Sequence, residues 1–332
     1  MIFHPLVLAL FAASLLAALM VLYASFFSVQ ILRRWDLRSG SELQLGLERK
    51  TYLVSTLLTY LFAAQILSLA LFVFTADRIH SYFVGAMCAA GTLKANGFGY
   101  PTLLLKGLNA VLAGLWLIVN AADNKGFDYP LIRKKYAGLL ALAPLVLAES
   151  VLQAGYFLRL KPDIITSCCS TLFSVGGGSL ASDLASLPMA PMRVLFFASL
   201  ASSIALGFVF LKTRRAAVAL AVSSGGSLVV SVLAIISFIS IYIYELPTHH
   251  CPFCLLQSGY GFIGYPIYVS LFAGAIAGLG VGVLSPFRKV PSLSSAVPAL
   301  QRKLAFVAVV CFSVLAAIVI VAMAASSLML PD

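Results

Sequence analysis

The stretch 304–328, LAFVAVVCFSVLAAIVIVAMAASSL, holds no charged residue, no glycine and no proline. At 1.5 Å of rise per residue, twenty such residues in a helix cross about 30 Å of hydrocarbon. Working back through the chain, seven more apolar stretches of comparable length lie near 6–32, 51–76, 101–122, 136–158, 191–211, 216–244 and 266–286. The expected fold class is therefore all-α, a polytopic membrane helical bundle of about eight transmembrane helices. In lipid, a helix satisfies its own backbone hydrogen bonds, which an open strand does not.

Composition agrees. Of 332 residues, 61% are apolar and only 10% charged, and mean hydropathy is +1.03. A water-soluble domain carries roughly a quarter charged residues. The net charge of +11 does not indicate nucleic acid, because the basic residues form no single patch. Sixteen of the 22 Lys and Arg fall in the segments 33–50, 123–135, 212–215 and 287–303. The positive-inside rule then puts these loops in the cytoplasm and both termini outside, in an inner (cytoplasmic) bacterial membrane with lipid as the surrounding partner. The first span has no basic residue before it and is not expected to be a cleaved signal peptide.

No segment has the composition of a soluble domain, so residues 1–332 are expected to form one membrane domain, with extracytoplasmic loops at 77–100, 161–190 and 245–265. Two halves, 1–160 and 190–332, look related. Cys88 precedes Gly99-Tyr100-Pro101, and Cys254 precedes Gly264-Tyr265-Pro266, at offsets of 166 and 165 residues. A histidine lies upstream in each half, His80 and His250, and a basic cluster precedes the fourth and eighth spans. Four spans per unit preserve orientation, which predicts a parallel duplication.

Against this frame, sulfur and imidazole are unevenly distributed. All four histidines and five of six cysteines fall on or near the outer loops, and only Cys311 lies within a span. Cysteines acting as small apolar residues would scatter through the helices instead. The sharpest motif is His249-His250-Cys251-Pro252-Phe253-Cys254. A Cys-x-x-Cys at a helix start, beside histidines, favours thiolate, the form that attacks disulfides. Cys168 and Cys169 lie in a loop with Gly176-Gly177-Gly178, where flexibility suits a relay between Cys251–Cys254 and an extracytoplasmic thiol protein. Structural disulfides bracing the outer loops account for the same cysteines less economically, since five is an odd number.

The segment Cys251-Pro252-Phe253-Cys254-Leu255-Leu256 resembles, over about ten residues, the active Cys-x-x-Cys of the vitamin K epoxide reductases. It is also similar to bacterial inner-membrane enzymes that reoxidise a periplasmic thiol oxidant with quinone. Those families pair an interfacial Cys-x-x-Cys with loop cysteines, so the resemblance implies such roles for Cys251, Cys254, Cys168 and Cys169, with quinone as electron acceptor. They have fewer spans than this chain.

Within the spans, Gln65, Lys106, Asn109 and Glu149 lie on the second, third and fourth apolar stretches. A carboxylate at that depth is costly and calls for a partner or a cavity. The matching positions of the second half, near Gly274 and Ala317, are not polar. This asymmetry points to a proton path or a quinone-head pocket in one half, or to a hydrogen-bond cluster that joins helices.

Three functions follow. The favoured one is a thiol–disulfide oxidoreductase acting at the extracytoplasmic face and linked to quinone. The second is binding or transport of a soft metal ion, copper or zinc, by Met87, Cys88, His80, His249, His250, Cys251 and Cys254. The third is a membrane anchor that docks an electron carrier. No histidine within a span and no Cys-x-x-Cys-His argue against haem.

Overall fold

The computed structural model of the protein describes residues 3–36, 41–126, 128–161, 166 and 187–328. Among them there are helices and turns and no strand. Eight helices among the described residues are long and apolar enough to cross a membrane. They are α1 (Pro5–Arg34), α2 (Glu42–Arg78), α3 (Gly99–Asp123), α4 (Ile132–Leu158), α5 (Met189–Thr213), α6 (Ala217–Ala234), α7 (Gly264–Val283) and α8 (Ala296–Ala325). α6 continues through a π-turn, Ile235–Ile239, into Ser240–Tyr244.

The helix ends follow local chemistry. α1 begins at Pro5, and the ring of His4 accepts the amide of Leu6 at 3.3 Å, which fills one of the orphan donors of the first turn. α2 starts well before its apolar stretch, so part of the basic segment expected as a loop at 33–50 is helix. Glu42–Lys50 is rich in helix-forming residues, and Gln44 donates to Glu48 one turn on, at 2.9 Å.

The chain divides into two compact units. The first comprises Met1–Thr75, Asn96–Lys161 and Pro286–Leu300. α4 packs on both α1 and α3 there, around a core that includes Phe27, Phe62, Trp116, Tyr136 and Leu139. Trp116 donates its indole N–H to the Lys135 carbonyl at 3.1 Å, and the Phe62 ring lies 4.9 Å from that of Trp116.

The second unit comprises Ala76–Ala95, Pro162–Ser285 and Gln301–Asp332. α6 packs on α5 and α7. Small polar residues line the α5–α6 contact, where Ser203 and Ser227 share a hydrogen bond at 2.9 Å. Gly85 has φ +84°, and a Cβ there would stand 2.4 Å from the Thr166 carbonyl oxygen. That close approach carries the bond from the Thr166 amide to the Val84 carbonyl, 3.0 Å.

Candidate functional site

The second unit brings three thiols together. Cys88, Cys251 and Cys254 are all buried, and their sulfurs lie within 4.8 Å of one another. Cys88 Sγ and Cys251 Sγ are 3.5 Å apart. Cys311 lies in α8 outside this cluster. Cys168 and Cys169 fall outside the described residues.

Each thiol is placed by a short irregular element. α6 stops at Tyr244 because Glu245 takes a left-handed conformation, φ 56°. The chain then runs to a 3₁₀ turn, Cys254–Leu256, and a second one, Ser258–Tyr260, before α7 begins. Phe262, just ahead of α7, is also left-handed at φ 58°. Two non-glycine residues in that region within one connection mark a backbone held by its surroundings. Gly264 permits the return. A Cβ on it would meet the Leu255 backbone at 2.9 Å, so the first turn of α7 lies directly on the Cys254 turn.

Side chains clamp the backbone of the motif. The hydroxyl of Tyr244 donates to the Cys251 carbonyl, and that of Tyr268 donates to the Pro252 carbonyl at 2.7 Å. Cys88 sits in extended backbone just before the short helix Ala89–Lys94. Gln257, three residues after Cys254, donates to Asp77 Oδ1 at 2.8 Å and to the carbonyl of Met87 at 3.2 Å. It thus ties the Cys-x-x-Cys to the residue next to Cys88.

The histidines divide. His250 is buried, and its Nδ1 lies 3.0 Å from the Ile236 carbonyl. A carbonyl only accepts, so Nδ1 donates in this bond. The π-turn makes this bond available. Ser240 N–H reaches back five residues to Ile235, and the neighbouring carbonyl of Ile236 takes the imidazole.

His249 packs edge-on against Tyr244 at 4.6 Å, and its Nε2 is buried without a hydrogen-bond partner among the described residues. Burial pushes its pKa below the ordinary value, the sulfur of Cys88 pulls it up, and His250 pushes it down. The neutral ring is therefore favoured, and His249 does not supply the positive charge expected from the sequence. The turn after Cys251 is also only three residues long, too short for a substantial helix dipole. Burial raises the pKa of Tyr260, and the Cys254 and Cys251 sulfurs add to that. His80 lies outside the sulfur cluster, with its Nδ1 on the carbonyl of Asp77.

In the first unit, Gln65, Lys106, Asn109 and Glu149 meet in one buried network. Lys106 Nζ lies 2.7 Å from Glu149 Oε1 and 3.1 Å from Ser68 Oγ. Gln65 Nε2 and Asn109 Nδ2 both donate to Glu149 Oε2. The ammonium also stands 5.6 Å from the Phe72 ring centre.

A second buried ion pair in this unit was not anticipated. Lys135 Nζ lies 2.7 Å from Asp123 Oδ2 and donates to Asn120 Oδ1 at 3.0 Å, while Asn120 donates to Thr59. Lys135 had been read as a loop charge; instead it is in the first turn of α4 and fully buried. The signal was available in α3, where Lys106, Asn109, Asn120 and Asp123 recur on one face at spacings of three, eleven and three.

No protein-family model, no curated protein and no solved structure matches this chain.

Proposed function

We propose that this protein is an integral membrane protein whose Cys88, Cys251 and Cys254 bind a soft metal ion, copper(I) or zinc. One observation carries the reading, the convergence of three buried sulfurs within 4.8 Å. Three thiolates around one ion, each about 2.3 Å from it, stand roughly 3.8–4.0 Å from one another. The sulfurs need only small rotations to reach that spacing. Thiolates buried without a cation carry a large desolvation cost, which a bound ion offsets. Burial also counts against direct attack on a protein disulfide, because reactive cysteines are partly exposed.

The distribution of basic residues supports an extracytoplasmic position for the site in an inner membrane, where it would meet ions or a carrier arriving from outside. The likeness of the Cys88 and Cys254 segments fits a duplicated ancestor, in which each copy contributes sulfur to one centre.

The experiment uses full-length protein purified in detergent with its thiols reduced. Copper(I) and zinc are offered separately, and bound metal is counted after gel filtration. One ion per chain is expected. Cys88→Ser and Cys251→Ser lower affinity by more than about a hundredfold, since removing a ligand exceeds the cost of losing an outer partner. Cys311→Ser leaves binding unchanged. Fully reduced protein that retains neither metal overturns the reading.

A second reading rests on the 3.5 Å separation of Cys88 Sγ and Cys251 Sγ. Two thiols at that distance can lose two electrons and two protons to a quinone or an external disulfide, forming one S–S bond between them. Differential alkylation after adding either oxidant decides it. A Cys88–Cys251 disulfide in protein that binds no metal favours redox chemistry, and alkylation of Cys88, Cys251 and Cys254 alike excludes it.

A further inference from the structure

We propose that His249 supplies a fourth ligand through Nε2, making the centre a site of three sulfurs and one nitrogen, the kind that zinc fills. This rests on the three-thiolate reading and adds to it the choice of ion. The starting observation is the nitrogen itself. His249 Nε2 is buried and has no hydrogen-bond partner among the described residues. A polar atom left unmet in such a place is costly, and a bound cation meets it.

The two neighbouring histidines are held differently. His250 donates from Nδ1 to the Ile236 carbonyl on the π-turn. The ring of His249 instead packs on Tyr244, with centres 4.6 Å apart, and the hydroxyl of that tyrosine donates to the Cys251 carbonyl. One phenol therefore holds both the imidazole and the backbone of a thiol. The main chain of His249 is tied down as well, its amide donating to the Leu246 carbonyl at 3.2 Å. The Cys88 sulfur acts on the same imidazole through space. Other groups around the motif are committed. Tyr268 spends its hydroxyl on the Pro252 carbonyl, Asp77 accepts from Gln257, and His80 has its Nδ1 on the Asp77 carbonyl. The side chain of Met87 is exposed.

Coordination number then selects the ion. Zinc takes four ligands in a tetrahedron, and three cysteines with one histidine are among its regular sets. Three thiolates leave one of its positions open. Copper(I) is satisfied by three thiolates in a plane and does not call for the imidazole. His249 Nε2 is not one of the atoms in the 4.8 Å group, which holds the sulfurs alone. The thiols are buried while His249 is half-buried, so it stands at the edge of the centre and turns onto the ion once the sulfurs hold it. The nitrogen gives its lone pair to the metal, any proton on it passes to water, and no electron is transferred.

Zinc-edge X-ray absorption on reduced, full-length protein in detergent, loaded with zinc ions, tests this. The expected result is three sulfurs at about 2.3 Å and one nitrogen at about 2.0–2.1 Å, with the multiple-scattering pattern of an imidazole. His249→Phe keeps a ring against Tyr244 but loses that pattern. It also weakens zinc binding at least about tenfold and leaves copper(I) binding unchanged. His250→Phe retains the pattern; should His249→Phe fail to fold, the wild-type and His250→Phe spectra decide between the two histidines. Three sulfurs with an oxygen in the wild type, or an imidazole pattern that disappears in His250→Phe or survives in His249→Phe, overturns the proposal and leaves the three-thiolate site standing. Binding of copper(I) but not zinc does the same. Protein that retains neither metal overturns the earlier reading, and this one with it.

Discussion

Gln257 and Asp77 are 180 residues apart in sequence, yet the amide of one donates to the carboxylate of the other at 2.8 Å. The same amide reaches the carbonyl of Met87. One side chain thus fixes the separation between the Cys-x-x-Cys and the third cysteine. Gln257→Leu is expected to weaken metal binding about 10–100-fold, the usual effect of losing an outer partner, with helicity unchanged. Gln257→Glu should be no better, because its carboxylate would face a carboxylate and a carbonyl. Competition with a chromophoric chelator measures both.

Lys135→Met should destabilise the first unit by about 3–5 kcal/mol, since Asp123 would keep a buried charge without a partner. Combining it with Asp123→Asn should recover most of that loss, because asparagine still accepts the amide of Leu131, now 2.9 Å from Asp123 Oδ1. Thermal unfolding in detergent compares the two. Equal loss in the single and the double variant would refute the charge argument.

Gly85→Ala is expected to cost about 1–3 kcal/mol, through a left-handed φ and a methyl group pressed on the Thr166 carbonyl. The bond from Thr166 to Val84 should loosen with it. Faster amide exchange at Thr166 than in wild type is the readout, and unchanged exchange speaks against the contact.

Orientation is testable with single reporter cysteines in a background where the native six are serine. Thr213→Cys, beside the Lys212–Arg215 cluster, should react with an impermeant maleimide only after the membrane is opened. Thr248→Cys should react in intact cells. The reverse pattern would invert the proposed topology.

The eight helices were legible because apolar length is a strong and local signal, and 304–328 alone requires lipid or a deep core. The meeting of Cys88 with Cys251 and Cys254 was readable only as a list of soft ligands, because it depends on how 77–100 and 245–265 fold. The buried Lys135–Asp123 pair was misread because charges at the ends of apolar stretches ordinarily sit in water. Only the face of α3 that Asn120 and Asp123 share with Lys106 and Asn109 would have placed the pair inside. The π-turn at 235–239 has no sequence signature, since Ile-Ile-Ser-Phe-Ile suits an α-helix equally well. The relay assigned to Cys168 and Cys169 lies outside the described residues.

That π-turn has a genetic corollary. It holds one residue more than an α-turn, so residues 217–234 and 240–244 run out of step by about 100°. The earlier segment keeps its serines on α5, while the later one aims Tyr242 at Arg193, 3.1 Å away, and Tyr244 at the Cys251 carbonyl. Removing any one codon between 235 and 239 would restore a uniform rod and swing both phenols aside. A length change of one residue here alters the phase of both phenols at once, which no single replacement does.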